Sequence, residues 1–173
     1  MNYEEARETI KTGDILAFTH DATETLYDKE IQAVRYVTKS LFCHVAVAWV
    51  VETNKIKRVF ALEAVVPEVR IFPLRKLGNF YWLPMKDALT PEAEAVALSL
   101  VGYHYSKWEG ILAVFGYNKL DNDGIQCAEY VQIVLRAQNI ILKGKSLPNE
   151  VVDNIMDLGI SQIKVINPII EEV

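Results

Sequence analysis

Apolar positions along the chain change their period several times, and each change marks an element. Residues 3 to 11 carry a short helical spacing. "TGD" (Thr12 to Asp14) is turn chemistry ahead of "ILAFT", an apolar run of buried-strand length. In "DATETLYDKEIQAVRYVTKS", Leu26, Ile31, Val34 and Val37 recur at helical spacing, which predicts an amphipathic helix or a partly helical loop ending near Ser40. "HVAVAWVVE" and "IKRVFALEAVV" are rich in β-branched and aromatic residues and flank the turn "TNK", so they read as a hairpin. "EVRIFPL" and "NFYWLPM" predict two further strands, closed by Pro73 and Pro84.

The second half turns helical. "TPEAEAVALSLVGYHY" predicts a helix capped by Thr90, with Pro91 at its first position and Glu92 and Glu94 at its positive end. "DNDG" (Asp121 to Gly124) is a dense turn signal, and "IQCAEYVQIVLRAQNI" follows as a helix that can bury Ile125, Val131, Val134 and Leu135. "SLPNEVVDNIMDLG" gives a short helix with Pro148 near its start and Gly159 past its end. "ISQIKVINP" reads as a last strand or an extended segment. The order predicts an α+β fold: a mostly antiparallel sheet, small and barrel-like, packed against helices.

Length and charge narrow the picture. The 173 residues suit a single domain over 1–173 with one core, and 51% hydrophobic residues against 24% charged is globular composition. A net charge of −5 with no Lys/Arg block gives no support for a nucleic-acid or anionic-membrane surface. No apolar run approaches the roughly 20 residues of a bilayer span, so no integral membrane segment is expected. The acidic start "MNYEEARETIKTGD" lacks the apolar core of a secretory signal. A cytoplasmic protein with two free thiols is the expectation, with release at lysis or a phage origin left open.

Cys43 and His44 stand side by side, which suggests a thiol–imidazole pair. Strand alternation separates them: His44, Ala46 and Ala48 share one face, while Cys43, Val45, Val47 and Trp49 share the other. The small residues beside His44 leave room for a helix to approach on that face. Cys127 is the other thiol, at the start of a predicted helix, where unpaired N–H groups and the helix dipole favour a thiolate. Glu63 places one acid in the apolar run "FALEAVV", and a buried carboxylate needs a partner that His44 can supply. A Cys127–His44–Glu63 constellation follows, with Glu63 fixing the His44 tautomer and the other ring nitrogen facing Cys127. Each residue also has a plainer reading: a buried small hydrophobe, a structural strand histidine, a solvent-facing edge acid.

The ordered motifs "KTGDILAF", "CHVAVAW", "ALEAV", "YHYSKWEGI", "DGIQCAEYV" and "SLPNEV" together resemble the circularly permuted NlpC-type papain-like peptidases, the YiiX/YebB-like group. The resemblance spans roughly residues 11 to 155. It implies a permuted papain-like fold in which the histidine strand precedes the cysteine helix. It implies Cys127 as nucleophile, His44 as general base and Glu63 as the residue orienting it. The chain departs from the family's pattern at Cys43, at Val45–Ala46 and at Ala128, changes that leave all three groups in place.

The chemistry so implied is a cysteine hydrolase, a peptidase or amidase cleaving an amide bond, with a cell-wall-type peptide as one candidate substrate. A lipid or thioester acyltransferase or esterase of the same superfamily is the alternative. A catalytically silent binding or virion-structural module is another. The substrate would be a peptide or acylated small molecule, with no cofactor. Tyr105 and Gln126 are the candidate side-chain donors to an oxyanion. Tyr81, Trp82, Tyr103, Tyr105 and Trp108 either line a cleft or belong to core and rim. A metal site from His20, His44, His104 and Cys127 lacks any short ligand pairing, so no metal is expected.

Overall fold

The computed structural model describes residues 1–19, 41–105, 124–144 and 146–167. His20, the helix expected over 21–40, Trp108 and Asp121 to Asp123 lie outside the described residues. The strands are β1 (Ile15–Thr19), β2 (Phe42–Thr53), β3 (Ile56–Ala64), β4 (Val69–Pro73), β5 (Phe80–Leu83) and β6 (Ile163–Val165). They form one sheet in the order β4-β3-β2-β1-β5-β6, every neighbour antiparallel. Among the described residues the sheet is open, with β4 and β6 at its edges, so the barrel-like closure expected from the sequence is not seen there.

Helices α1 (Tyr3–Thr9), α2 (Pro91–Ser99), α3 (Cys127–Ala137) and α4 (Pro148–Asp157) pack against the sheet, giving an α+β architecture. None of the described helices is long and apolar enough to cross a membrane. Local chemistry sets the boundaries. Asn2 and Glu5 form a capping box at the start of α1, and Thr90 accepts the Ala93 N–H at the start of α2. Asn54 and Lys55, at φ of 50° and 65°, make the two-residue turn between paired Thr53 and Ile56.

Helix α2 is shorter than its sequence predicts. It ends at Ser99, and Gly102 adopts φ of 85°, which turns the chain out of the helical path. Residues 101 to 105 then run beside β4 instead. Val69 donates its N–H to the Tyr103 carbonyl and Gly102 donates to the Val69 carbonyl, both at 2.8 Å. Tyr105 bridges to Ile125 in parallel, which brings this segment to the entrance of α3.

Two apolar clusters cover the two faces of the sheet. On one, Ile15, Ala17, Val45, Val47, Leu62 and Ala64 meet α2, α3 and α4, including the predicted stripe Ile125, Val131, Val134 and Leu135. On the other, Leu16, Phe18, Ala46, Ala48 and Ala61 meet Tyr3, Ala6 and Ile10 of the N-terminal segment. The small residues beside His44 do admit a helix, but it is α1. The cysteine helix α3 docks on the opposite face, because that is where the larger side chains Val45 and Val47 meet its stripe.

The "TGD" turn anchors β1. Gly13 sits at φ of 100°, and a side chain there would meet Leu89 Cγ at 2.7 Å, so both backbone and space require glycine. Asp14 is fully buried and accepts three donors: Lys11 N–H at 2.9 Å, Met85 N–H at 2.9 Å and Trp82 Nε1–H at 2.8 Å. It therefore ties β1 to the end of β5. Replacing Asp14 with Ala leaves these donors without their acceptor and is expected to cost on the order of 3 kcal/mol. Urea unfolding checks this, and a wild-type midpoint in Asp14→Ala would show that the three bonds do not anchor the strand.

Candidate active site

The site forms where the sheet divides. The β2–β3 ladder has its last pair at Val47 and Leu62. Beyond it β2 stays with β1, through Val45–Ala17 and His44–Phe18, while β3 stays with β4, through Glu63–Arg70 and Ala64–Val69. Alternate residues of a strand aim their N–H groups to opposite sides. Ala48 donates toward β1, to the Asp14 carbonyl, so Val45 donates toward the side that β3 has left. The sulfur of Cys127 takes that N–H, together with the N–H of Ala128. A helix-borne sulfur thus interacts with a β2 N–H on the side that the β2–β3 ladder has left. At the same end of β2, the Phe42 N–H is taken by Asn149 Oδ1 of α4 at 3.1 Å.

His44 reaches Cys127 from the sheet. Its ring packs against Phe18 at 5.6 Å between centroids, on the α1 face. Its Nε2 bonds Glu63 Oε2 at 2.9 Å, which leaves Nδ1 for the hydrogen bond with Cys127. Cys127 belongs to the α3-side cluster, yet it interacts with His44, so the opposite placement of α3 does not separate the two. The other oxygen of Glu63, Oε1, accepts Nε–H and Nη2–H of Arg70 at 2.9 and 2.7 Å. Cys127, His44 and Glu63 are all buried, and Glu63 has no exposed surface.

Electrostatics follow from this arrangement. For Cys127, burial pushes the thiol up, but the His44 charge and hydrogen bond, with the N–H groups of Val45 and Ala128, hold it below its ordinary value. For His44, burial acts downward, yet the Cys127 thiolate and then Glu63 raise it to about 10. Glu63 is pushed up by burial and held low by His44 and Arg70. The favoured state is a thiolate–imidazolium pair beside an ionised carboxylate.

The remaining candidates divide. Gln126 is the buried N-cap of α3, and its side chain makes no capping bond to the helix. Tyr105 is half-buried against the helical cluster and bridges Ile125, two positions before Cys127, while Gln126 immediately precedes Cys127. Cys43 sits at a register shift in β2 and its Sγ donates to the Phe18 carbonyl at 3.4 Å, a role open only to the thiol form. His104 is exposed and bridges Glu68, and among the described residues no group of three or more His, Cys, Asp or Glu is arranged to hold a metal. Trp82 is core, bonded to Asp14. Sequence reasoning missed Arg70 and Asn149. Arg70 could have been suspected from "EVRIFPL", where a lone cation follows the buried acid by seven positions on the next strand. No protein-family model matches the chain, and no curated protein matches it in sequence.

Two expectations follow. Cys127 reacts with a small haloacetamide faster than Cys43 at neutral pH, read by mass spectrometry of the labelled peptides, and equal slow labelling would contradict the charge assignment. The second concerns stability. Folded, Cys127 and His44 share one proton as an ion pair; unfolded, between the ordinary values of 6.5 and 9.0, they also hold one, as imidazole and thiol. The His44 share is complete below 6.5 and lost as pH rises through about 10. The Cys127 share is complete above 9.0 and lost as pH falls through its lowered folded value. The unfolding free-energy difference between wild type and the double variant His44→Gln/Cys127→Ala should therefore be level below 9.0, down to whichever is higher of 6.5 and the lowered Cys127 value, and decline on both sides. A steady climb across that window would exclude the ion pair.

Proposed function

We propose that the chain is a cysteine hydrolase, a peptidase or amidase working through an acyl-enzyme, with Cys127 as nucleophile, His44 as acid and base and Glu63 as the group orienting the imidazole. The observation that carries this reading is the buried contact chain from sulfur to imidazole to carboxylate, with the sulfur at a helix N-terminus. The chain order His44, Glu63, Cys127 supports a circularly permuted papain-like arrangement, in which the strand block precedes the cysteine helix.

The chemistry uses each charge in turn. The Cys127 thiolate adds to an acyl carbonyl, forming a C–S bond and moving the carbonyl electrons onto oxygen. The backbone N–H of Cys127 would receive that oxyanion, with Tyr105 or Gln126 as the side-chain donor. As the intermediate collapses, the leaving amine takes the His44 Nδ1 proton. Neutral His44 then takes a proton from water, whose oxygen adds to the thioester. Collapse releases the acid and restores thiolate and imidazolium. An imidazolium that persists at neutral pH is the acid an amine leaving group needs.

The test is a panel of peptide, peptidoglycan-fragment, ester and lipid acyl donors. Wild type is expected to turn over at least one class, with Cys127→Ser, Cys127→Ala and His44→Ala each slower by roughly a thousandfold or more. The class consumed, and whether water or another nucleophile accepts the acyl group, separates peptidase from acyltransferase. Wild-type turnover no faster than Cys127→Ser on every donor would overturn the reading.

A further inference from the structure

We propose that Arg70 is the fourth member of this site, a positioning residue that keeps Glu63 an ionised acceptor and so holds the His44 ring toward Cys127. The inference rests on the hydrolase reading and extends it by one residue on β4. The first ground is register. Glu63 and Arg70 are directly opposed on β3 and β4, on one face of the sheet. The second is the division of the carboxylate. Arg70 sends Nε–H and Nη2–H to Oε1 at 2.9 and 2.7 Å, while Oε2 is left to His44 Nε2 at 2.9 Å. Each oxygen has its own cation, so the carboxylate plane is set by the guanidinium and the imidazole follows it.

The third ground is how the guanidinium is itself held. It lies over the Phe72 ring, 4.3 Å from the centroid, and Phe72 packs against the α1-side cluster. The Arg70 side chain is 32% exposed while that of Glu63 is 0% exposed, so Arg70 links a buried anion to the solvent edge. The fourth ground is charge balance. Among the described residues, the ionisable groups joined at the site are Cys127 from α3, His44 from β2, Glu63 from β3 and Arg70 from β4, with Glu129 in the first turn of α3 unchanged by any variant below. With Arg70 the four buried or half-buried charges sum to zero. Without it one imidazolium would serve two anions, and burial would favour adding a proton to Glu63 or to the sulfur. Both routes weaken the thiolate. Lysine would supply the charge but neither the paired N–H geometry nor the flat stack on Phe72.

The experiment follows the pH dependence of Cys127 alkylation by a small haloacetamide in a Cys43→Ala background, for wild type, Arg70→Lys and Arg70→Met. Thermal melts establish that each variant folds. Arg70→Met is expected to move the alkylation midpoint up by on the order of one pH unit, and Arg70→Lys by less. If Arg70→Met does not fold, Arg70→Gln replaces it with the same expected shift. A folded Met or Gln variant with the wild-type midpoint would overturn the role of Arg70, since a merely structural arginine changes the melt and leaves the midpoint. A wild-type midpoint at the free-thiol value would instead overturn the hydrolase reading, so the two failures are told apart within one data set.

Discussion

Glu63 sits on an interior strand with no exposed surface, and an ionised carboxylate there must be matched by cations within hydrogen-bond reach. Both flanking strands supply one. β2 brings His44 and β4 brings Arg70, each to a separate oxygen. This constraint fixes more than the acid itself. The β3–β4 register must put Arg70 opposite Glu63, and β2 must run past the end of β3 far enough for His44 to turn toward it. The imidazole orientation that faces Cys127 is a consequence of satisfying the carboxylate.

The divided sheet is the second half of the same arrangement. A strand that outruns its neighbour exposes N–H groups to an apolar surrounding, and each needs an acceptor. Here the helical layer provides them, through Asn149 for Phe42 and the Cys127 sulfur for Val45. The two apolar clusters grip the sheet from both sides, so the gap between the parting strands is held at a width set by packing on each face. Helix α3 contributes its apolar stripe to one cluster and its first residue to the gap, which couples the position of the sulfur to the burial of Val131, Val134 and Leu135.

Element types and their order along the chain were legible in the sequence; three-dimensional register was not. The helix entrance at Cys127 and the acid alone in "FALEAVV" depend on local periods and local turns, and these hold, while the alternation argued for Cys43 is interrupted by the register shift at that residue. Which helix covers the His44 face was not legible, because alternation says which residues share a face and not which helix packs there. The end of α2 was overrun, since "VGYHY" carries apolar residues at helical spacing while Gly102 takes a left-handed turn that only the pairing with Val69 makes worthwhile. Arg70 looks like any charge on an edge strand until the connection after Ala64 sets which residue it opposes. Asn149 looks like ordinary helix-start chemistry, and its bond to a strand 107 positions away has no local trace. A mostly antiparallel sheet against helices followed from the element order; its closure did not, because edge strands are decided by tertiary contacts.

The sulfur of Cys127 is also the acceptor that finishes a strand. Losing the sulfur would leave the Val45 N–H without this acceptor, so a chain that replaced Cys127 would be pressed to install another acceptor at that position. A serine or an aspartate in place of Cys127 in some relative would then be a mark of architectural inheritance, and its presence alone would say nothing about retained chemistry.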